Sequence, residues 1–315
     1  MAKDNQFRTS IGGQALIEGI MMMGPKKKAI VVRGPEGLVT QVEDRKFIKD
    51  KYPILGWPFI RGVVNFGSSM VNGVKALMFS ADYYPEEEGV EPEKPSKIDL
   101  WLEEHLEEEK AQQAIIYIAV FLGIMFSVGL FILLPTLLAG FVSPWIGSGV
   151  LRNLVEGAIR ITLFVIYMIA VSRMKDMKRV FSYHGAEHKT IACYEAGLPL
   201  TVENVRQQTR FHPRCGTSFL FVVMIISILV FSVVRWSNPF IRMALRLALL
   251  PVVVGISYEI NRFVGRHDNK FTRALVAPGL WFQRFTTNEP DDSMIEVGIE
   301  AVKLVLPEVE GEDEW

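Results

Sequence analysis

Half of the 315 residues are hydrophobic and the mean hydropathy is +0.23, which places the chain in the membrane class and excludes an ordinary soluble globular protein. The formal net charge of −1 hides strong local asymmetry. The sequence shows no basic aromatic surface, dinucleotide fingerprint or Gly-rich phosphate loop with a partner lysine, which argues against nucleic-acid and nucleotide chemistry.

The first ten residues are polar and the first long apolar run begins only after residue 110, so no cleavable signal peptide is expected. Residues 11–24 gather four glycines around Gln14 and Glu18. They are too short and glycine-rich for a span and read as a structural turn, whose Gln14 and Glu18 can also line a site. Two β-rich runs, 26–33 and 37–43, meet at Gly34-Pro35-Glu36-Gly37 and predict a β-hairpin with a four-residue loop. Lys26, Lys27 and Lys28 can meet anionic head groups or solvate an edge strand. Residues 57–79 have helical spacing, with Ile60, Val64, Val71, Val74 and Met78 close to one stripe, as expected of a helix in the membrane interface or docked on a bundle. An acidic, proline-rich linker follows, then a short acidic helix in which His105 is exposed.

Four apolar segments predict membrane helices at 114–142, 154–172, 217–236 and 239–258. Pro135 marks a kink in the first. Glu156 and Arg160, at i and i+4, read as a self-neutralising pair, while Arg242 and Arg246 lie where they can snorkel. Lys and Arg number 15 in residues 1–110, 8 in 173–216 and 6 from 261 onward, whereas the two short loops on the other side hold little beyond Arg152 and Arg235. The positive-inside rule therefore puts the N- and C-termini and the 173–216 segment in the cytoplasm of a bacterial cell membrane.

Three of the five histidines and both cysteines fall within residues 183–218. His184 and His188 are i and i+4 on a predicted helix, a spacing at which two imidazoles can share a metal ion. Glu187 beside them completes an H-x-x-E-H pattern, in which the carboxylate takes a proton from water. Gly185 weakens that helix by ~1 kcal/mol relative to alanine. His212 and Cys215, separated by a turn with Pro213 and closed by Gly216, add two ligands with zinc-knuckle spacing. Glu195 lies on the same stripe two turns on, and Glu259 offers a carboxylate about seventy residues downstream. The metal candidates are thus His184, His188, His212, Cys215, Glu195 and Glu259, the catalytic candidate is Glu187, and the expected ion is divalent, Zn²⁺ before others. The cysteines are expected as reduced thiols or thiolate ligands. Further on, residues 263–285 look interfacial, residues 294–306 form an amphipathic helix, and 308–315 read as a disordered acidic tail.

The blocks H-G-A-E-H-K-T, F-H-P-R-C-G-T-S, G-G-Q-A-L-I-E-G-I-M-M-M-G and T-T-N-E-P-D-D-S-M-I-E-V resemble the signature blocks of the YqhQ-like family, bacterial multi-pass membrane proteins labelled as metal-dependent enzymes. The resemblance covers nearly the whole chain and implies that label here.

The expected architecture is a mainly α, polytopic membrane protein with about four transmembrane helices, a small N-terminal β-hairpin and interfacial and cytosolic helices. Its segments are an N-terminal cytosolic region (1–80), an acidic linker (81–110), membrane helices one and two (111–172), a cytosolic His/Cys segment (173–216), membrane helices three and four (217–260) and a C-terminal cytosolic region (261–315). Two functions follow. One is a metal-dependent hydrolase at the cytosolic membrane surface, with the lipid bilayer as partner and a lipid-linked or membrane-tethered substrate. The other is a non-enzymatic transport, channel or regulatory protein, oligomeric in the channel case, whose His/Cys cluster is a structural metal clasp.

Overall fold

A computed structural model describes residues 7–83, 108–142, 149–232, 239–267 and 269–314. The acidic linker, its helix with His105, and Asp268 lie outside these residues. The protein is mainly helical, with a small antiparallel sheet, and divides into two compact units.

The first unit comprises residues 1–85, 167–230 and 248–315. Its sheet runs β1 (Gly12–Leu16), β2 (Gly19–Met23), β3 (Lys27–Gly34), β4 (Gly37–Asp44), in that order across the sheet and antiparallel throughout. β3 and β4 are the expected hairpin, tightened to a two-residue turn because Gly34 pairs with Gly37. The glycine-rich stretch before them is a second hairpin, β1 and β2, rather than a turn alone. Its tight turn puts Glu18 at φ 50°, a left-handed conformation that a non-glycine residue holds only when fixed from outside. Arg179 supplies the fixation with a bidentate pair at 2.5 and 2.5 Å, and the Tyr183 hydroxyl donates to the same carboxylate at 3.2 Å.

Alternation in β2 and β3 sends Ile20, Met22, Ala29 and Val31 to one face and Met21, Ile30 and Val32 to the other, and both faces are buried. The first face packs on α5 (Lys175–Glu195) and α10 (Asp292–Lys303) through Tyr183, Ala186, Val297 and Ala301. The second meets Ala76 of α1 (Ile60–Ala81). α1 is docked rather than isolated: Gly62 comes so close to α8 (Pro239–Arg266) that an added Cβ would sit 3.1 Å from the Gly255 Cα. Arg61 grips Glu259 beside this crossing.

The acidic tail is ordered by the lysine run, contrary to the expectation of disorder. Lys26 pairs with Glu312 at 2.6 Å and Lys27 with Glu308 at 3.0 Å, while Thr9 bridges to Glu314 and its hydroxyl donates to Asp313 at 2.5 Å.

The second unit comprises residues 86–166 and 231–247. α2 (Glu108–Val128) continues through a π turn at Gly129–Leu133 into α3 (Leu134–Val142). Pro135 cannot donate to the Phe131 carbonyl, and Arg160 of α4 (Gly149–Val171) does so instead at 2.9 Å. Glu156 is not confined to its i+4 partner: it also holds Arg246 in a bidentate pair and accepts from the Thr136 hydroxyl at 2.9 Å.

Among the described residues, three helices are long and apolar enough to cross a membrane, at Ala114–Val142, Leu151–Val171 and Met243–Arg266, with α7 (Gly216–Ser232) a shorter apolar fourth.

Candidate metal centre

α5 carries His184 and His188 on one face, their ring centroids 4.3 Å apart. Gly185 lies between them because α5 runs tightly past the segment that leads to α10. A Cβ at 185 would collide with the Asn288 carbonyl, so close packing outweighs helix propensity at this position. Cys215 comes from the amino end of α7, where its sulfur lies 3.4 Å from the Thr217 N–H and 3.3 Å from the Thr217 hydroxyl. A helix amino end and these donors favour a thiolate.

The two imidazoles are aimed by carbonyl groups. His184 Nδ1 lies 2.8 Å from the Thr286 carbonyl and His188 Nδ1 lies 2.6 Å from the Arg210 carbonyl. A carbonyl oxygen can only accept, so each Nδ1 carries a proton and each Nε2 is left to face inward. His184 Nε2 meets Cys215 Sγ at 3.2 Å. Among the described residues, His184, His188 and Cys215 form one group whose ligand atoms lie within 4.8 Å of one another. Two nitrogens and one sulfur at this separation suit a tetrahedral divalent ion with a fourth position left over.

Glu187 stands beside the group at 5% exposure. Its Oε1 accepts the Gly13 N–H of β1 at 3.0 Å, and its buried Oε2 has no hydrogen-bond partner among the described residues. A buried, unsatisfied carboxylate oxygen is costly unless a further donor completes it. Burial pushes Glu187 above the ordinary carboxylate range despite the two histidines. Burial also opposes charge on His184 and Cys215, but their mutual attraction prevails. His184 is raised to about 9, and Cys215 is held well below its usual value by His184 and His188.

The other sequence candidates lie outside the group. His212 is an immediate neighbour, its ring 5.5 Å from that of His188, but its Nε2 turns toward Glu195 at 3.6 Å and Arg214 at 3.3 Å. Burial keeps it below the ordinary histidine value. Glu195 is engaged by Arg214 and accepts the Thr9 N–H at 2.9 Å. Glu259 is committed to Arg61 and accepts the Phe59 N–H at 3.3 Å. Of the N-terminal polar pair, Gln14 packs on Gly73 and Glu18 is spent on Arg179.

A cavity of about 480 Å³ opens onto the group, lined by residues 9–15 on one side and by His184, Glu187, His188 and Cys215 on the other. The family model described as "Protein of unknown function (DUF1385)" matches residues 57–308. The "Uncharacterized protein YqhQ" of Bacillus subtilis (strain 168) is 35% identical over 301 residues, covering 94% of this chain and 92% of the relative. The chain belongs to the DUF1385 family. No solved structure matches it. The family match begins at residue 57, downstream of β1, so the Gly13 N–H that holds Glu187 comes from outside the matched region. Sequence reasoning does not single out Gly13, Arg210 or Thr286 as parts of the site, because each contributes only a backbone group.

Proposed function

We propose that the protein is a metal-dependent hydrolase of the bacterial membrane, holding Zn²⁺ on His184, His188 and Cys215. The observation that supports it best is the pair of carbonyl-locked imidazoles turned, with the Cys215 sulfur, toward one point beside a carboxylate whose second oxygen lacks a partner. A bound divalent ion supplies Lewis acidity and lowers the pKa of water at the open position. Glu187, raised by burial, is placed to take the proton and later return it, and the Gly13 N–H fixes which oxygen does so. Three protein ligands rather than four favour this reading over a closed structural clasp.

The chain order supports a centre near the bilayer. α5 begins at Lys175, just past the apolar segment ending at Val171, and Cys215 directly precedes α7. With the lysine and arginine count, this supports work at the cytosolic surface on a membrane-tethered substrate.

The test is metal content of the full chain purified in detergent. One zinc per chain is expected, lost in His184→Ala, His188→Ala and Cys215→Ala, whereas Glu187→Gln keeps the metal and loses hydrolysis. Full metal loading with a saturated four-ligand spectrum on cobalt substitution would instead identify the clasp. A second reading is supported by the 3.2 Å His184–Cys215 contact at a helix amino end, the arrangement of a cysteine nucleophile with its base. Metal-free protein in which iodoacetamide blocks activity at Cys215 would select it.

A further inference from the structure

The cavity beside the metal group is bounded by a strand edge. β1 is the first strand of the sheet order, and among the described residues no strand pairs with its outer side. Residues 10–15 line the cavity, together with the α5 face that carries His184, Glu187 and His188. In the register with β2, Gly12 faces Met23 and Gly13 faces Met22, and the Gly13 N–H turns away from β2 to reach Glu187. Antiparallel alternation gives residues 11, 13 and 15 the same outward backbone orientation. The Ile11 N–H is taken by the Thr9 hydroxyl at 3.1 Å and the Gly13 N–H by Glu187, so the edge offers the carbonyls of 11, 13 and 15 as acceptors beside the candidate metal. Two glycines keep it bare of side chains, and a Cβ at Gly12 would meet nothing within 4 Å. The rest of the lining is largely apolar, including Val180, Phe181, Ile191 and Leu220, and its one arginine, Arg214, is taken by Glu195. An extended polypeptide finds main-chain partners on one side of this cavity and apolar contacts on the other.

Resting on the hydrolase reading, we propose that the substrate is an extended polypeptide segment that adds to the outer edge of β1 as a further strand and is cut at a peptide bond held over His184, His188 and Cys215. Water adds to the scissile carbonyl carbon, its proton passes to the Glu187 carboxylate, and Glu187 returns that proton to the amide nitrogen as the C–N bond breaks. The second proton of the water stays on the acyl product, so the products are one carboxylic acid and one amine, which ionise in solution. Residues 10–15 reach about 20 Å when extended, enough to hold several substrate residues on both sides of the cut.

The experiment uses the full chain in detergent micelles with zinc content measured, and as probes a quenched-fluorescent decapeptide library and unfolded casein. Expected are cleavage that disappears in Glu187→Gln while zinc stays bound, and a period-2 response when a cleaved peptide is N-methylated position by position. Loss should exceed tenfold at alternate residues and be slight between them. Zinc-loaded protein that leaves both probes intact, or cuts only ester or phosphodiester substrates, overturns the polypeptide proposal and spares the hydrolase reading. Cleavage with no alternation overturns strand addition. Absence of zinc, by contrast, removes the hydrolase reading itself.

Discussion

Glu156 faces two arginines among apolar helices, with Arg246 at 1% and Arg160 at 7% exposure. Arg246 holds both of its oxygens, Arg160 reaches one at 3.4 Å, and Thr136 completes the set. Removing this carboxylate takes its charge away from two buried arginines, a loss on the order of 3–5 kcal/mol for breaking such a buried set. Glu156→Gln is therefore expected to lower the thermal unfolding midpoint in detergent strongly, and adding Arg246→Met should recover part of the loss. An unchanged midpoint for the single variant would show that the cluster contributes nothing. The sequence shows the i,i+4 neighbour and hides Arg246, which lies 90 positions away. The candidate metal residues follow the same logic. Imidazoles and thiols are scarce enough here to stand out, so His184, His188 and Cys215 are legible as candidates. The groups that aim them, the Thr286 and Arg210 carbonyls and the Gly13 N–H, are of a kind that every residue carries, so nothing in the sequence marks them.

Among the elements, the helices and the β3–β4 hairpin are legible because their apolar periods are regular. β1 and β2 are not, since Gly12, Gly13 and Gly19 dilute the alternation and the turn residue Glu18 lacks the usual glycine or asparagine. That turn depends on Arg179, a contact 161 positions away. α10, which closes one face of the sheet, begins at a cap that local sequence does explain. The Asp291 carboxylate accepts the Met294 N–H at 3.0 Å and the Ser293 hydroxyl at 2.6 Å. Burial alone would raise Asp291, but these bonds outweigh it and hold it below the ordinary 3.8. A carboxyl depressed in the folded state stabilises above its unfolded value, and that contribution fades as pH falls through the lowered one. Asp291→Ala should cost about 1 kcal/mol at neutral pH. The gap between variant and parent should narrow below pH 4, as read by chemical unfolding of the full chain, and a gap that widens there would contradict the cap.

For the molecule as a whole, the charge count predicts which side each segment faces. Glu36→Cys should react with an impermeant maleimide only after permeabilisation, whereas Ser148→Cys should react in intact cells, and the reverse pattern would invert the topology. Both native thiols are buried and should give little background. The division into two compact units is not written in composition, because segments from both ends of the chain and its middle build the first unit.

Thr9 binds Asp313 across 304 positions and bridges to Glu314, and four residues further on Gly13 holds Glu187. A chain still leaving the ribosome cannot make the first contact, so the tie that anchors the approach to β1 forms only once residues 313 and 314 have been made.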